Sequence, residues 1–321
     1  MYSLPENGNT EISEFEGGND MRGRTDLAVE LKEEIQSDEP ITGVHVTTKN
    51  NGDTDVKEVR IVVETEQGAL NLGKPIGTYI TLESEMLRKE DESYHQPMME
   101  VLAGHLRQFI GNKKRIMVAG LGNRDVTPDC LGPLVIDNLY MTRHLLKEGI
   151  ITRGVELSGI APGVMAQTGM EAVTILKALV MEMKPELVIV IDALAARDSN
   201  RLNKTIQLAD TGITPGSGVG NHRNAINKES IGAPVLAIGV PTVISVPTIV
   251  NDAMEKMVEA LGKQGTRHIF KKFNEEERYQ LACEMITPYM EKMFVTPKDI
   301  DASVKRVSYT ISEAINTAAL T

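Results

Sequence analysis

Lys114–Gly132 reads KRIMVAGLGNRDVTPDCLG. The apolar run Arg115–Ala119 entering Gly-Leu-Gly predicts a buried strand that stops in a tight loop. Side chains just beyond the carboxyl ends of strands in an open α/β sheet face the functional crevice. Asp129 stands in that loop behind Pro128, whose fixed φ stiffens the turn. A second apolar run, Glu186–Ile191, ends in Asp192 in the same manner. Two strands, each delivering an aspartate to one rim, predict an α/β fold: a mostly parallel central sheet with helices on both faces. The chemistry they predict is hydrolysis by an acid pair.

Working outward, apolar residues at helical spacing predict helices over Tyr94–Ile110, Leu134–Leu146, Thr168–Glu182, Asn251–Leu261, Glu275–Met293 and Asp299–Ala319. Lys204–Leu208 and Val235–Val240, the latter ending at Pro241, read as further strands. Toward the N-terminus, residues 41–84 form a β-rich insert. Alternating runs flank a turn at Asn51-Gly-Asp53, and Ile76–Leu82 gives a third strand. A short helix over Leu31–Gln36 is expected to take Thr25 or Asp26 as its cap. Residues 1–23 are polar and Gly/Asn-rich, with little to bury.

The net charge of −11, with no Lys/Arg block, argues against direct binding of nucleic acid or an anionic membrane. Two cysteines without a pairing pattern fit a reducing cytoplasm. No apolar run approaches the ~20 residues of a membrane span.

Several familiar sites fail on spacing. The dinucleotide fingerprint begun by Gly120-Leu-Gly122 needs a third glycine where Asp125 stands. Ser217 has Pro215 where a nucleophile elbow needs glycine. The glycine-rich 216–220 loop offers at most an anion nest. Asp129 and Asp192 are left as the candidate pair. If they approach closely, one pKa rises and the pair holds one proton. The ionised member then takes a proton from water while the other donates to the scissile carbonyl or leaving amine, with no metal and no cofactor. Two alternatives stand beside this reading. Both carboxylates with His222 suit a divalent ion that holds the water. Or both aspartates merely cap helices, in a non-catalytic binding protein.

The segments GLGNRDVTPDCLGPLVIDNLYMTRHL, GIAPGVMAQTGME, VIVIDALAARDSNRLNKTIQLADTGITPGSGVGNHR and AIGVPTVI resemble the spore germination proteases, from about Arg24 to MFVTPKDID. The resemblance implies an atypical aspartic endopeptidase whose essential aspartates fall on Asp129 and Asp192. It also implies a fold similar to the hydrogenase-maturation endopeptidases, which work around a metal. Its implied substrates are the small acid-soluble, DNA-protecting proteins of the spore, cut after Glu in contexts such as TEFASEF. The place implied is the cytoplasm of the forespore and the spore core, and the assembly implied is a homotetramer. A self-processing zymogen is implied as well. Thr10-Glu-Ile-Ser-Glu14-Phe15 resembles the cleavage context, so residues 1–14 are the expected propeptide, 15–321 one catalytic domain, and Glu14–Phe15 the bond cut. Arg124, Arg197, Lys204 and Arg223, with His222 beside them, flank the candidate loops and are candidates to hold the substrate Glu.

Overall fold

The computed structural model describes residues 25–35, 40–52, 54–89, 95–220, 223–260 and 275–320. The expected propeptide 1–14, the Glu14–Phe15 bond and His222 lie outside them. Among the described residues the strands are β1 (Val44–Asn51), β2 (Val56–Val63), β3 (Gly77–Glu83), β4 (Arg115–Gly120), β5 (Glu156–Ile160), β6 (Leu187–Ala196), β7 (Thr205–Ala209), β8 (Val235–Ser245) and β9 (Phe294–Val295). They make one mixed sheet in the order β1-β2-β3-β7-β8-β6-β4-β5, with β9 on β8.

The expected parallel arrangement holds for β5, β4, β6 and β8, among them the two strands, β4 and β6, that carry the aspartate runs. The β-rich insert extends this unit: β1, β2 and β3 join it through β7, all antiparallel. Alternation along the strands feeds both faces. Ile116, Val118, Ile189 and Ile191 pack with residues of the helices His95–Ile110, Leu131–Asp137 and Ile300–Leu320. Met117, Ala119, Val188 and Val190 pack with Leu176 and Val180 of the helix Ala172–Met183.

Several elements differ from the sequence reading, each for a local reason. A helix, Glu66–Leu72, interrupts the insert. Thr65 caps it by accepting the Gly68 amide at 3.0 Å, and Gly73 ends it in the left-handed region. The helix expected over Leu134–Leu146 splits into Leu131–Asp137 and Arg143–Lys147. Between them, Asn316 accepts the Tyr140 amide and donates to the Asn138 carbonyl, tertiary bonds that replace the helical ones. Gly169, at φ +70°, separates Met165–Thr168 from Ala172–Met183. Thr25 and Asp26 do not cap the first helix: it spans Ala28–Glu34 with Leu27 at its cap position and no side-chain cap bond. Finally, β8 runs through Pro241 rather than stopping there. The register against β6 slips at this point, Leu194 facing Pro241 and Ala195 facing Val243, so Thr242 bulges out of the ladder.

Candidate active site

Asp192 does not end its strand, as the sequence suggests; β6 continues to Ala196 beside β8. The strand that ends is β4. Its last ladder pair is Gly120 with Ile191, and the Leu121 amide donates to the Ile191 carbonyl at 2.8 Å. Asp192 is the next residue, so it lies on a continuous strand where its neighbour has just left the sheet. That gap is the crevice, and Asp192 is buried in it at 5% exposure.

Asp129 reaches the same crevice through a backbone packed tightly enough to require glycine. A Cβ on Gly122 (φ +106°) would come within 2.0 Å of the Asp129 carbonyl oxygen. The Asn123 amide donates to Asp129 Oδ2 at 2.7 Å, and the Asn123 side chain accepts both the Asp125 amide and Gln167 Nε2. From the other side, the bulged Thr242 donates its hydroxyl to the Pro128 carbonyl at 2.7 Å. Neither aspartate caps a helix. Leu131–Asp137 begins at Cys130 without a side-chain cap bond, and Asp192 sits within a strand.

Both carboxylates line one cavity of ≈ 390 Å³, together with Asp26, Val164, Val219 and Arg223. Burial pushes the Asp192 carboxyl well above its ordinary range, and the charges of Asp129 and then Asp26 push it further. The Ala193 amide and Arg223 oppose the rise. Burial also raises Asp129, while the Asn123 amide and Arg223 restrain it. The charge of Asp129 therefore bears on Asp192, and Arg223 bears on both. Asp192, more buried and facing more negative charge, has its carboxyl raised further than that of Asp129.

The candidate cations separate clearly. Arg223 lines the cavity. Arg124 pairs with Asp137 at the exposed surface, Arg197 with Glu34 at 2.6 Å, and Lys204 with Glu85. None of these three lines the cavity. Among the described residues no group of three His, Cys, Asp or Glu side chains is placed to hold a metal ion. Sequence reasoning missed two contributors. In sequence Asp26 suggests only a helix cap, and Thr242 is placed at the site only by the bulge.

The family model described as germination protease matches residues 23–272. A germination protease of Caldanaerobacter subterraneus subsp. tengcongensis is 42% identical over 305 residues, covering 92% of this chain and 93% of its own. One of Clostridium tetani is 40% identical over 311 residues, with 93% and 95% covered. One of Bacillus pumilus is 35% identical over 343 residues, with 92% of each chain covered. Among solved structures, the [NiFe] hydrogenase maturation protease HycI of Thermococcus kodakarensis aligns at 18% identity and TM-score 0.30, covering 66% of this chain and 98% of its own.

Proposed function

The chain belongs to the germination protease family, and from that premise we propose that it is an aspartic-type endopeptidase. In this reading it opens the degradation of small acid-soluble spore proteins by cutting after Glu. The observation that carries the mechanism is that Asp129 and Asp192 line one cavity, Asp129 on the loop that leaves β4 and Asp192 within the neighbouring β6.

Ionised Asp129 takes a proton from water as the oxygen attacks the scissile carbonyl, and protonated Asp192 gives its proton to the carbonyl oxygen. The resulting gem-diol collapses when Asp192 takes back a hydroxyl proton and Asp129 protonates the amine nitrogen. The C–N bond breaks, and both carboxyls return to their starting states. Arg223, the proposed recognition group, faces the pair and offers a bidentate fit to the carboxylate of the residue before the cut. The enzyme is made as a zymogen that removes residues 1–14, acts in the forespore and spore core, and assembles as a tetramer.

The test is cleavage of a Glu-Phe peptide by Asp129→Asn and Asp192→Asn proteins, with and without chelator. Loss of about 10²–10⁴-fold in both variants, with the native enzyme indifferent to chelator, is expected. Activity surviving either exchange would remove that residue from the chemistry, and abolition by chelator would turn the mechanism to a metal.

A further inference from the structure

Asp26 is bound more tightly into the site than either aspartate of the pair. Its amide donates to the Ala195 carbonyl at 3.1 Å, and the Ala195 amide donates back to Asp26 Oδ2 at 2.9 Å. Ser217 Oγ donates to Oδ1 at 2.5 Å. The Asp26 carbonyl accepts Lys74 Nζ at 3.0 Å and Gln207 Nε2 at 3.2 Å. Both carboxylate oxygens are thus committed to protein donors, so Asp26 is not a third reacting acid, although it lines the cavity beside Asp192.

What the carboxylate does is join two pieces of chain. One is the extension of β6 past Asp192. The other is the short turn Ser217–Val219, flanked by Gly216 and Gly220 at φ +73° each. That turn is wound against Asp26 with no spare room: a Cβ on Gly218 would stand 2.3 Å from Asp26 Oδ2 and 2.7 Å from Ala195 Cβ. Gly216 and Val219 form one wall of the cavity, and Arg223 follows shortly after in the chain. The glycine-rich loop is shaped by an internal carboxylate rather than left open as a nest for a bound anion.

We infer that Asp26 is a positioning residue for substrate selection: by holding Ala195 and Ser217 together, it fixes the 216–219 turn and so aims Arg223 at the carboxylate preceding the scissile bond. This rests on the reading of Arg223 given above, and the experiment separates the two. Cleavage is measured on a pair of peptides with Glu or Gln before the bond, using the full-length native enzyme and its Ser217→Ala, Ser217→Thr and Arg223→Gln variants. Ser217→Ala removes one hydrogen bond at an exposed turn, so the fold is retained, and thermal unfolding checks this.

The expected result is that Ser217→Ala loses roughly ten-fold of the Glu-over-Gln preference through KM, on the scale of one charge-assisted hydrogen bond. Arg223→Gln should lose it too, and Ser217→Thr should restore it. If Ser217→Ala keeps the native preference while Arg223→Gln loses it, the positioning role is overturned and the Arg223 reading stands. If both keep the preference, both fall. If Ser217→Ala lowers kcat equally on the two peptides, the contact is merely structural and the positioning role is again overturned.

Discussion

A Cβ on Gly120 would stand 2.2 Å from the carbonyl oxygen of Gly132, so the end of β4 and the first turn of the next helix touch backbone to backbone. This contact folds the intervening loop back on the strand and leaves Asp129 at the rim beside Asp192.

Gly132→Ala is therefore expected to damage both stability and site. Its Cβ would fall 2.3 Å from the Leu121 carbonyl oxygen and 2.5 Å from the Leu121 amide, backbone atoms that cannot rotate away. Overpacking of this kind costs about 3 kcal/mol, with peptide cleavage reduced in whatever protein remains folded. Urea unfolding measures the first effect; a variant within about 0.5 kcal/mol of native, the range of an ordinary surface change, would contradict the contact.

Asp192→Asn should make the protein more stable at neutral pH while removing activity. Burial and neighbouring carboxylates raise the folded-state pKa of Asp192 above its unfolded value. The native state then binds the extra proton, so this contribution is complete below the unfolded carboxyl pKa. It is lost as pH rises from the ordinary carboxyl range toward the raised value. Asparagine can keep the bond from the Ala193 amide and carries no charge to bury. Unfolding midpoints across pH should fall less steeply for the variant. A variant that is less stable than native at pH 7 would mean that the Asp192 charge is better compensated than its surroundings imply.

The meeting of Asp129 and Asp192 at one cavity and the parallel order of β4 and β6 were legible because apolar runs followed by aspartate are local signals. The crevice itself was not. It depends on β4 stopping one residue short of Asp192 while β6 and β8 continue, a difference in strand length across a ladder. Thr242 was hidden for a similar reason: Pro241 looks like a strand terminator in sequence, yet here it adjoins a bulge that aims the next hydroxyl at Pro128. The helix Glu66–Leu72 did carry signals, a threonine cap and a closing glycine, but they stood inside a segment dominated by alternation. Arg197 and Lys204 are close in sequence to site loops, and their acidic partners, Glu34 and Glu85, come from distant segments that only the fold brings near.

Arg201→Ala should destabilise the frame that holds Asp26. The Arg201 guanidinium, 8% exposed, reaches Glu33 at 2.7 and 2.8 Å, Glu83 at 2.7 Å and Glu30 at 3.6 Å. Glu30 is itself buried and its pKa raised by that burial. Removing the cation leaves acids without compensation, which costs about 3–5 kcal/mol for a buried network. Chemical denaturation checks it, and a loss below about 1 kcal/mol, the value of an exposed ion pair, would show that solvent already screens the cluster.

Self-processing should leave a chain beginning at Phe15. Within Thr10-Glu-Ile-Ser-Glu-Phe15 an acidic residue directly precedes an aromatic one, as in the substrate context implied by the family. N-terminal sequencing of the matured protein reads the bond directly, and any other first residue refutes the choice. The Asp129→Asn protein should stay unprocessed unless active enzyme is added.

Arg223→Gln should shift the pH dependence of catalysis as well as its selectivity. The proposed mechanism needs an ionised Asp129 and a protonated Asp192, which gives a bell whose limbs belong to the coupled pair. Arg223 lowers the pKa of both carboxyls. Without its charge, Asp129 ionises only at higher pH and Asp192 keeps its proton to higher pH, so both limbs of kcat/KM move upward together. The profile is best taken on the peptide with Gln before the bond, where loss of substrate pairing does not intrude. Limbs that stay in place would show that Arg223 does not face the pair during turnover. If only the acid limb moved, the arginine would act on Asp129 alone.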